Sequence, residues 1–441
     1  MGNYFGTDGI RGVVNENLTP IMAFNCGNAL TIIKEKPIVV IGQDTRESGD
    51  MLSAAFSAGV TAGGGTVLNL GIMPTAGIAF MTRNKKADFG VVISASHNPP
   101  QFNGIKIFGS DGFKIPDATE NLIEKHLLST SLCDGDSVGR IIDISSEKSL
   151  YADFLYNSSL TTLEGIKVVL DMSNGASYKV APEVFNRLGA TVIPTHYDIE
   201  KGKINDHCGC LFPEIIKQKV IEENADVGFA FDGDSDRVIV CDSQGEIING
   251  DMIVYILAKM YKESGKLVND TVIGTLHTNM GIENKFKSLG IKFLRSDIGD
   301  KYVLQEMQKT GAVVGGEQSG HIIMGDKSTT GDGVLCAIVL SSIIAKKKEP
   351  LVKLLEGVKQ FPQENINVTV PDKKKVLSSP LLKTKIDELN KKIEGKGRIL
   401  VRASGTEPKI RIMAECDSAM LSFSVARELA DLVNDIANLE V

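Results

Sequence analysis

Apolar runs and helical stretches alternate along the chain in a unit that occurs three times. Each unit starts with a short apolar run that predicts a buried strand, continues through a helical stretch to a glycine, and ends with a second apolar run. The units cover residues 37–70, 167–193 and 271–294. Glycine is favoured between a helix and a following strand because it adopts the left-handed conformation that ends the helix. The pattern therefore predicts three α/β domains of similar build.

The end of the chain shows a different pattern. Apolar runs at residues 399–402 and 410–414 predict two strands around a glycine loop, and an amphipathic stretch at residues 423–436 predicts a helix. Polar and proline-containing breaks separate this segment from the repeated units. We therefore expect four domains, the last of them smaller than the others. Their expected bounds are residues 1–148, 149–248, 249–361 and 362–441.

Composition and charge are those of an ordinary soluble protein. The 441 residues exceed what one hydrophobic core supports, and 42% hydrophobic with 23% charged residues is typical of globular domains. A net charge of −7 argues against a nucleic-acid or anionic-membrane surface. There is no secretory signal and no apolar run that would span a bilayer, and the 7 scattered cysteines suit reduced thiols. We expect a cytoplasmic protein that binds neither nucleic acid nor membrane.

Three carboxylates alternate in a loop between two predicted strands. They are Asp232, Asp234 and Asp236, and Arg237 follows at once. Like charges this close repel one another unless a cation neutralises them, and carboxylate oxygens are ligands that Mg²⁺ prefers. A helix-loop-helix calcium loop is excluded because it needs Gly and Glu where Arg237 and Ser243 stand. A solvated acidic turn is the alternative. The long apolar flanks favour a divalent-metal site beside a basic residue.

A second loop, residues 94–99, follows the strand predicted at residues 89–93 and contains Ser96 and His97. A hydroxyl at a strand end beside a histidine suits a nucleophile, and a polar turn explains the same residues equally well. Lys106 is a candidate proton carrier whose pKa a buried cationic site would lower. Adjacent side chains tend to diverge, so we expect Lys106 rather than His97 to act on Ser96.

Two further loops suit anions, and a third suits sugar hydroxyls. The loop after residue 401 combines a guanidinium fork, hydroxyls and a glycine, which predicts a phosphate-binding loop. A glycine-rich loop around Arg11 has a similar combination of glycines and a guanidinium. Residues 315–321 supply polar groups for a sugar. With the acidic loop and Ser96, these features favour phosphoryl transfer, and they leave open whether water or a sugar hydroxyl receives the group. The phosphate-loop residues are Arg402, Ser404, Gly405 and Thr406.

Five stretches together resemble the α-D-phosphohexomutase superfamily. The resemblance implies three similar α/β domains plus a smaller C-terminal α+β domain arranged around a central active-site cleft. The sugar loop with Gln318, and the segment Gly299–Val303, are similar to members that act on glucosamine phosphates. Members acting on glucose or mannose phosphates usually carry another residue where Gln318 stands. The five stretches are Gly6–Gly12, Ser94–Lys106, Asp232–Arg237, Gly316–His321 and Arg402–Pro408.

The resemblance also implies a reaction. Phosphorylated Ser96 would convert glucosamine 6-phosphate to glucosamine 1-phosphate through a sugar bisphosphate, which is also the activator, and so supply cell-wall precursors. One Mg²⁺ per subunit would be held by Ser96, Asp232, Asp234 and Asp236. Proton transfer and charge stabilisation at the reacting hydroxyl would fall to Lys106 and Arg11, with Arg237 and His321 nearby, and His97 completes the implied catalytic residues. Sugar hydroxyls would bind Glu317 and Ser319, and the phosphate that is not reacting would bind Arg402, Ser404, Gly405, Thr406 and Arg411.

Alternatives share part of this machinery. A phosphoglucomutase or phosphomannomutase would use the same mechanism, a phosphatase would pass the phosphoserine to water, and a binding protein would lack turnover. The resemblance is compatible with a homodimer. Two loops depart from the superfamily pattern. Ser235 stands where glycine is commonest, which costs strain if φ is positive there, and Leu211-Phe212 stand where Thr-His is common.

Overall fold

The computed structural model describes residues 4–128, 137–404 and 407–438. Backbone packing divides the chain into two compact units. The first comprises residues 1–275 and 292–356, and the second comprises residues 276–291 and 357–441. Within the described ranges, no helix is both long and apolar enough to cross a membrane.

The first α/β segment of the first unit is built on a mixed sheet. Its buried core includes Val39, Ile41 and Val91 on the strands and Leu52 on a helix. The helices are α1 (Pro20–Ile33), α2 (Gly49–Ala62), α3 (Thr75–Asn84) and α4 (Asp117–Glu124). The strands are β1 (Phe5–Gly6), β2 (Gly9–Val13), β3 (Ile38–Gln43), β4 (Thr66–Ile72), β5 (Phe89–Ile93), β6 (Phe102–Gly109) and β7 (Arg140–Asp143), in the order β1-β2-β6-β5-β3-β4-β7.

The second α/β segment has a smaller sheet. Its helices are α5 (Ser149–Asn157), α6 (Val180–Arg187) and α7 (Pro213–Glu223). Its strands are β8 (Lys167–Asp171), β9 (Thr191–Thr195), β10 (Val227–Phe231), β11 (Val238–Asp242) and β12 (Ile247–Ile248), in the order β12-β11-β10-β8-β9. Strand β10 is buried along its whole length, as its apolar sequence predicts.

The third sheet has the order β14-β13-β15-β16, with strands β13 (Thr271–Thr275), β14 (Lys292–Ser296), β15 (Val314–Gly316) and β16 (Ile322–Met324). The helices in this part of the chain are α8 (Gly250–Glu263), α9 (Met280–Ser288), α10 (Asp300–Thr310), α11 (Gly333–Lys347) and α12 (Leu351–Leu354). Helix α9 belongs to the second compact unit, and the strands on either side of it in sequence belong to the first.

The three predicted strand–helix–strand units are confirmed. The pairs β3–β4, β8–β9 and β13–β14 are all parallel, and each pair is joined through a helix. The glycine between the helix and the second strand has a positive φ in every unit: 84° at Gly64, 90° at Gly189 and 64° at Gly290. The left-handed helix cap that the sequence predicts is therefore present three times.

The second unit is an antiparallel sheet covered by helices, and the predicted strands and last helix of the C-terminal segment are confirmed. Its strands are β17 (Gln363–Thr369), β18 (Gly397–Ala403) and β19 (Lys409–Cys416), in the order β17-β19-β18. Besides α9, its helices are α13 (Lys373–Ser378), α14 (Pro380–Lys392) and α15 (Ala419–Asn438).

Buried Glu415 and its ion-pair partner Arg398 hold the segment before and into α9 against this sheet. Nη1 and Nη2 of Arg398 donate to the carbonyl oxygens of Leu276 at 2.6 Å and Thr278 at 2.8 Å. Oε1 of Glu415 accepts from the backbone N–H of Met280 at 2.7 Å. Two side chains of the C-terminal sheet thereby fix a segment that lies far from them in sequence.

Candidate active site

The predicted metal carboxylates lie in the loop between the buried antiparallel strands β10 and β11. Asp232, Asp234 and Asp236 are all buried, and one oxygen of each lies within 4.8 Å of the others. Ser235 between them has a φ of 59°, so the strain expected from serine in place of glycine is present. A rigid sheet therefore presents three converging carboxylates.

The triad is suited to a divalent cation because two of its oxygens accept no hydrogen bond from the described residues. Oδ1 of Asp234 and Oδ1 of Asp236 are buried and make no hydrogen bond within the described part of the chain. Buried polar atoms without partners are costly, and hard cations such as Mg²⁺ prefer carboxylate oxygens. Burial and the other two carboxylates raise the pKa of Asp232 well above its usual value. The triad can therefore bind a metal ion.

Ser96 lies just beyond β5, and its hydroxyl reaches the acidic loop. The side chain is buried, and Oγ donates to Oδ2 of Asp232 at 2.6 Å. Nδ1 of His97 lies 3.2 Å from the same Oγ, so the expectation that these neighbouring side chains diverge is wrong. Adjacent side chains diverge in an extended strand, whereas the backbone of Ser96 is left-handed with a φ of 52°. Burial and the nearby Arg237 and Arg11 lower the pKa of His97 to about 4, so its ring is neutral.

Lys106 on β6 contacts the acidic loop instead of Ser96. Nζ donates to Oδ2 of Asp234 at 2.7 Å and to Oδ2 of Asp236 at 3.0 Å, and it lies 3.0 Å from Oδ2 of Asp8. Burial would lower the pKa of Lys106, but these carboxylates raise it well above its usual value. The expected lowering is therefore wrong, because the surroundings of Lys106 are anionic rather than cationic.

Asp8 joins three cations and was not among the predicted site residues. Its carboxylate contacts Arg11 and Lys106 and accepts from Nζ of Lys114 at 2.6 Å. Burial would raise the pKa of Asp8, but the three cations hold it well below its usual value. Lys114 in turn contacts Asp300. The local signals for Asp8 are its place in the stretch Gly6–Gly12 and its position three residues before Arg11.

The predicted sugar loop connects β15 to β16. Glu317 is buried and accepts from a backbone N–H at 3.0 Å, and burial raises its pKa. Both ring nitrogens of His321 are buried without a hydrogen-bond partner among the described residues, and Nε2 lies 3.7 Å from Oδ2 of Asp300. Ser319 is exposed. A backbone bridge between His321 and Arg237 places the sugar loop beside the acidic loop.

The predicted phosphate loop lies in the second unit. Arg402 on β18 and Arg411 on β19 are opposite one another in the strand register, and Ser404 is buried just beyond β18. Gly405 and Thr406 lie outside the described residues. Nε of each arginine is buried without a hydrogen-bond partner in the described part of the chain. Two adjacent guanidinium groups with unused donors are suited to binding an anion.

His277 lies beside these arginines, and no sequence motif pointed to it. With both arginines, Asn365 and Asn367 it lines a cavity of about 150 Å³. Nη2 of Arg402 lies 3.2 Å from Nε2 of His277, and because a guanidinium only donates, this nitrogen accepts. Burial and the neighbouring arginines lower the pKa of His277 to about 4, so its ring is neutral near pH 7.

The loop at residues 207–212, which departs from the superfamily pattern at Leu211 and Phe212, packs in an ordinary way. Cys208 and Cys210 are buried free thiols, and Leu211 is 52% exposed. The ring of Phe212 lies 5.3 Å from that of His207. Nothing in the structure explains why Leu211 and Phe212 stand at these positions.

Comparisons with known proteins place the chain in a family. Phosphoglucosamine mutase of Carboxydothermus hydrogenoformans is 44% identical over 444 residues, which cover 99% of this chain and 100% of that protein. The corresponding protein of Clostridioides difficile is 42% identical over 445 residues, 99% of each chain. The chain belongs to the phosphoglucosamine mutase family. Domains described as Phosphoglucomutase/phosphomannomutase alpha/beta/alpha domains I, II and III and C-terminal domain match residues 2–132, 149–245, 249–361 and 366–432.

Solved structures agree with the fold that this family membership implies. A phosphoglucomutase/phosphomannomutase family protein of Burkholderia thailandensis superposes with a TM-score of 0.80 at 22% identity, over 97% of each chain. Aspergillus fumigatus N-acetylphosphoglucosamine mutase, solved with GlcNAc-6P and magnesium, gives 0.66 at 16% identity, over 98% of this chain and 96% of that one. The predicted fold class, three similar α/β domains followed by a smaller C-terminal domain, is confirmed. Like other members of the phosphoglucosamine mutase family, this protein is an isomerase that acts as an intramolecular phosphotransferase.

Proposed function

We propose that this protein interconverts glucosamine 6-phosphate and glucosamine 1-phosphate and thereby supplies the amino sugar of cell-wall precursors. The observation that carries the proposal is the buried hydroxyl of Ser96, 2.6 Å from the carboxylate of Asp232 in the acidic loop. A serine held against candidate metal ligands fits a phosphoserine enzyme, and a binding protein without turnover has no need of it. Full-length relatives named phosphoglucosamine mutase support the choice of sugar.

In the proposed cycle the phosphoryl group moves between Ser96 and the sugar. The bond from phosphorus to Ser96 Oγ breaks as a bond to O1 of glucosamine 6-phosphate forms, and the O1 proton is passed to Ser96 Oγ. The resulting bisphosphate then returns its O6 phosphoryl group to Ser96 Oγ, the Ser96 proton is passed to O6, and glucosamine 1-phosphate is released. Free sugar bisphosphate is the proposed activator, because it can phosphorylate Ser96 of an enzyme that has lost the group.

Asp232, Asp234 and Asp236, with an oxygen of phosphorylated Ser96, are the proposed ligands of one Mg²⁺ ion. When bound, Mg²⁺ supplies positive charge against the charge on the transferring phosphoryl group. Lys106 is a cation in the described arrangement, so it fits charge stabilisation and proton donation to the leaving oxygen better than removal of the proton from the attacking hydroxyl.

The remaining predicted residues have proposed binding roles. Glu317 and Ser319 would bind sugar hydroxyls. The charged or polar groups Arg11, His97, Arg237 and His321 would contact the reacting phosphoryl group. A phosphate group of the substrate would be bound by Arg402, Ser404, Gly405, Thr406 and Arg411.

The decisive experiment compares kcat/KM for glucosamine 6-phosphate and glucose 6-phosphate, with Mg²⁺ and a trace of the matching sugar bisphosphate. A strong preference for the amino sugar would support the proposal. An equal or reversed preference would favour a phosphoglucomutase and contradict the substrate assignment. Release of inorganic phosphate at the rate of sugar turnover would instead reveal a phosphatase. Ser96→Ala is the matched control, because it removes the proposed phosphorylation site and must abolish mutase activity.

A further inference from the structure

One buried guanidinium holds the loop that carries Ser96. Arg46 follows β3 closely, and its side chain is completely buried. Its Nε donates to Oδ2 of Asp44 at 2.9 Å. The other four N–H groups point at backbone carbonyl oxygens of the loop, so all five guanidinium donors are used. The accepting carbonyl groups are those of Ser96 at 2.9 Å, Asn98 at 2.8 Å, Pro99 at 2.6 Å and Phe102 at 2.8 Å.

The loop needs such support because Ser96 adopts a left-handed backbone, with a φ of 52°. A residue with a Cβ occupies this conformation at a cost, and it persists only where the surroundings hold it. The conformation also has a consequence for chemistry, since it directs Oγ of Ser96 to within 2.6 Å of Asp232. Relaxation of the loop would move the hydroxyl away from the acidic loop.

Two further contacts complete the support. Oδ2 of Asp44 accepts from Oγ of Ser94 at 2.6 Å, and this Oγ accepts from the backbone N–H of Ser96 at 2.8 Å. Nδ2 of Asn205 donates to the carbonyl oxygen of Ser96 at 2.7 Å. The Asp44–Arg46 pair therefore holds Ser96 through its N–H group and through its carbonyl group.

We infer that Arg46 is a positioning residue for phosphoryl transfer, which fixes the backbone of the Ser96 loop so that the hydroxyl faces the acidic loop. The inference rests on the proposed role of Ser96 as the phosphorylated residue. Arg46 acts through the loop carbonyl groups and makes no hydrogen bond to the three candidate metal carboxylates among the described contacts. Lysine cannot replace it, because a single ammonium does not reproduce a planar fork that reaches four carbonyl groups.

The test compares Arg46→Lys with Arg187→Lys, a matched change at a partly exposed ion pair with Asp153. We expect Arg46→Lys to lower kcat about 100-fold with KM within twofold of wild type, because a displacement of about 1 Å at the nucleophile has this effect. Arg187→Lys should leave both constants unchanged. Guanidinium ions should partly restore kcat of Arg46→Ala, since a cavity of about 590 Å³ borders Arg46. A merely structural role predicts neither the kcat-specific loss nor this rescue.

A folded Arg46→Lys protein with near-normal kcat would overturn the inference. If Arg46→Lys does not fold, Ser94→Ala decides, because it removes only the link from Asp44 to the N–H of Ser96. We expect a reduced kcat with unchanged KM and melting temperature, and an unchanged kcat would overturn the inference. A failure of the proposed function is distinguished by mass spectrometry of the wild-type protein. Absence of phosphate on Ser96 would contradict the proposed function rather than the role of Arg46.

Discussion

Oγ of Ser96 donates to Oδ2 of Asp232 across a distance of 2.6 Å, although 136 positions separate the two residues in sequence. The bond joins the end of β5 to the loop after β10, so the proposed nucleophile and the proposed metal ligands come from different sheets. The alignment of Ser96 with Asp232 therefore depends on how the two sheets pack. The negative charge of Asp232 and its geometry as a hydrogen-bond acceptor can be tested separately.

Asp232→Asn separates charge from geometry. The amide oxygen still accepts from Ser96, but the negative charge that attracts Mg²⁺ is lost. We expect kcat to fall at least about 100-fold, in line with the loss of one electrostatic stabiliser, and the Mg²⁺ concentration for half-maximal activity to rise. Steady-state rates across a Mg²⁺ titration measure both effects. Asp198→Asn, at an exposed site, is the control, and equal behaviour of the two variants would exclude Asp232 as a ligand.

Lys106→Met should make the thermal stability of the protein more dependent on the Mg²⁺ concentration. The substitution leaves Asp234 and Asp236 without the ammonium that contacts both, so the buried carboxylates repel one another. We expect kcat to fall by a factor between about 10² and 10⁴, the range for a positioned proton carrier. The melting temperature should rise more steeply with Mg²⁺ than that of wild type, because the ion replaces the lost cation. Differential scanning fluorimetry with Mg²⁺ or EDTA measures this, and identical Mg²⁺ dependence would contradict the prediction.

His277→Leu should weaken phosphate binding. The neutral ring accepts from Arg402 across 3.2 Å, and its loss frees the guanidinium to adopt other orientations. We expect KM for the sugar phosphate to rise several-fold with kcat nearly unchanged. His277→Gln retains a side-chain acceptor and should recover part of the loss. Because the pKa of His277 is about 4, the wild-type KM should not change through ionisation of this ring between pH 6 and 8. Inhibition by inorganic phosphate provides an independent measure.

Asp332 should reduce stability as the pH rises. Its buried carboxylate accepts from Tyr151 Oη at 2.9 Å and caps α11 through the N–H of Leu335 at 2.9 Å, and burial raises its pKa to about 6. Between pH 4 and 6 the folded protein keeps a proton that the unfolded chain has released, so the free energy of unfolding falls as the pH rises. At pH 7, ionised Asp332 lowers the free energy of unfolding by about 3 kcal/mol relative to its value at acidic pH, where the carboxyl group is protonated in both states.

Asp332→Asn removes this titration and keeps an acceptor for the helix cap. The melting temperature of the variant minus that of wild type should therefore increase as the pH rises from 4 to 6. This difference should be constant above pH 7. Thermal melts in matched buffers follow the difference. A parallel pH dependence of the two proteins would show that Asp332 does not bind its proton more tightly in the folded state.

The strand–helix–strand units and the acidic loop were predictable because their signals are local. Glycine at the end of a helix, such as Gly189, and carboxylates two residues apart both appear within a few positions of the chain. The grouping of Asp8 with Lys114 and Asp300 has no such signal, since Lys114 and Asp300 lie 186 positions apart. Single charged residues at strand ends or helix starts reveal nothing about their partners until the sheets are assembled.

The two expectations that the structure contradicts, on the pKa of Lys106 and on the direction of the His97 side chain, also concern contacts between residues distant in sequence. The expected fall in the pKa of Lys106 requires a buried cationic site, whereas the fold brings the carboxylates of Asp234 and Asp236 from a different sheet to its ammonium. The expected divergence of His97 from Ser96 is wrong because Ser96 has a left-handed backbone, and its carbonyl oxygen accepts from Arg46, 50 positions earlier in the chain. Long-range packing decides both.

The attachment of residues 276–291 to the C-terminal sheet limits how this protein can be cut or recombined. A gene truncated after residue 356 would encode a first unit joined to an orphaned segment, without the Arg398 and Glu415 that anchor it. Exchange of the C-terminal domain between relatives would likewise leave a mismatched segment behind, unless both stretches were exchanged together. The last domain therefore cannot be exchanged or removed as a separate segment of the sequence. Substitutions in α9 and in the C-terminal sheet are expected to be correlated among relatives.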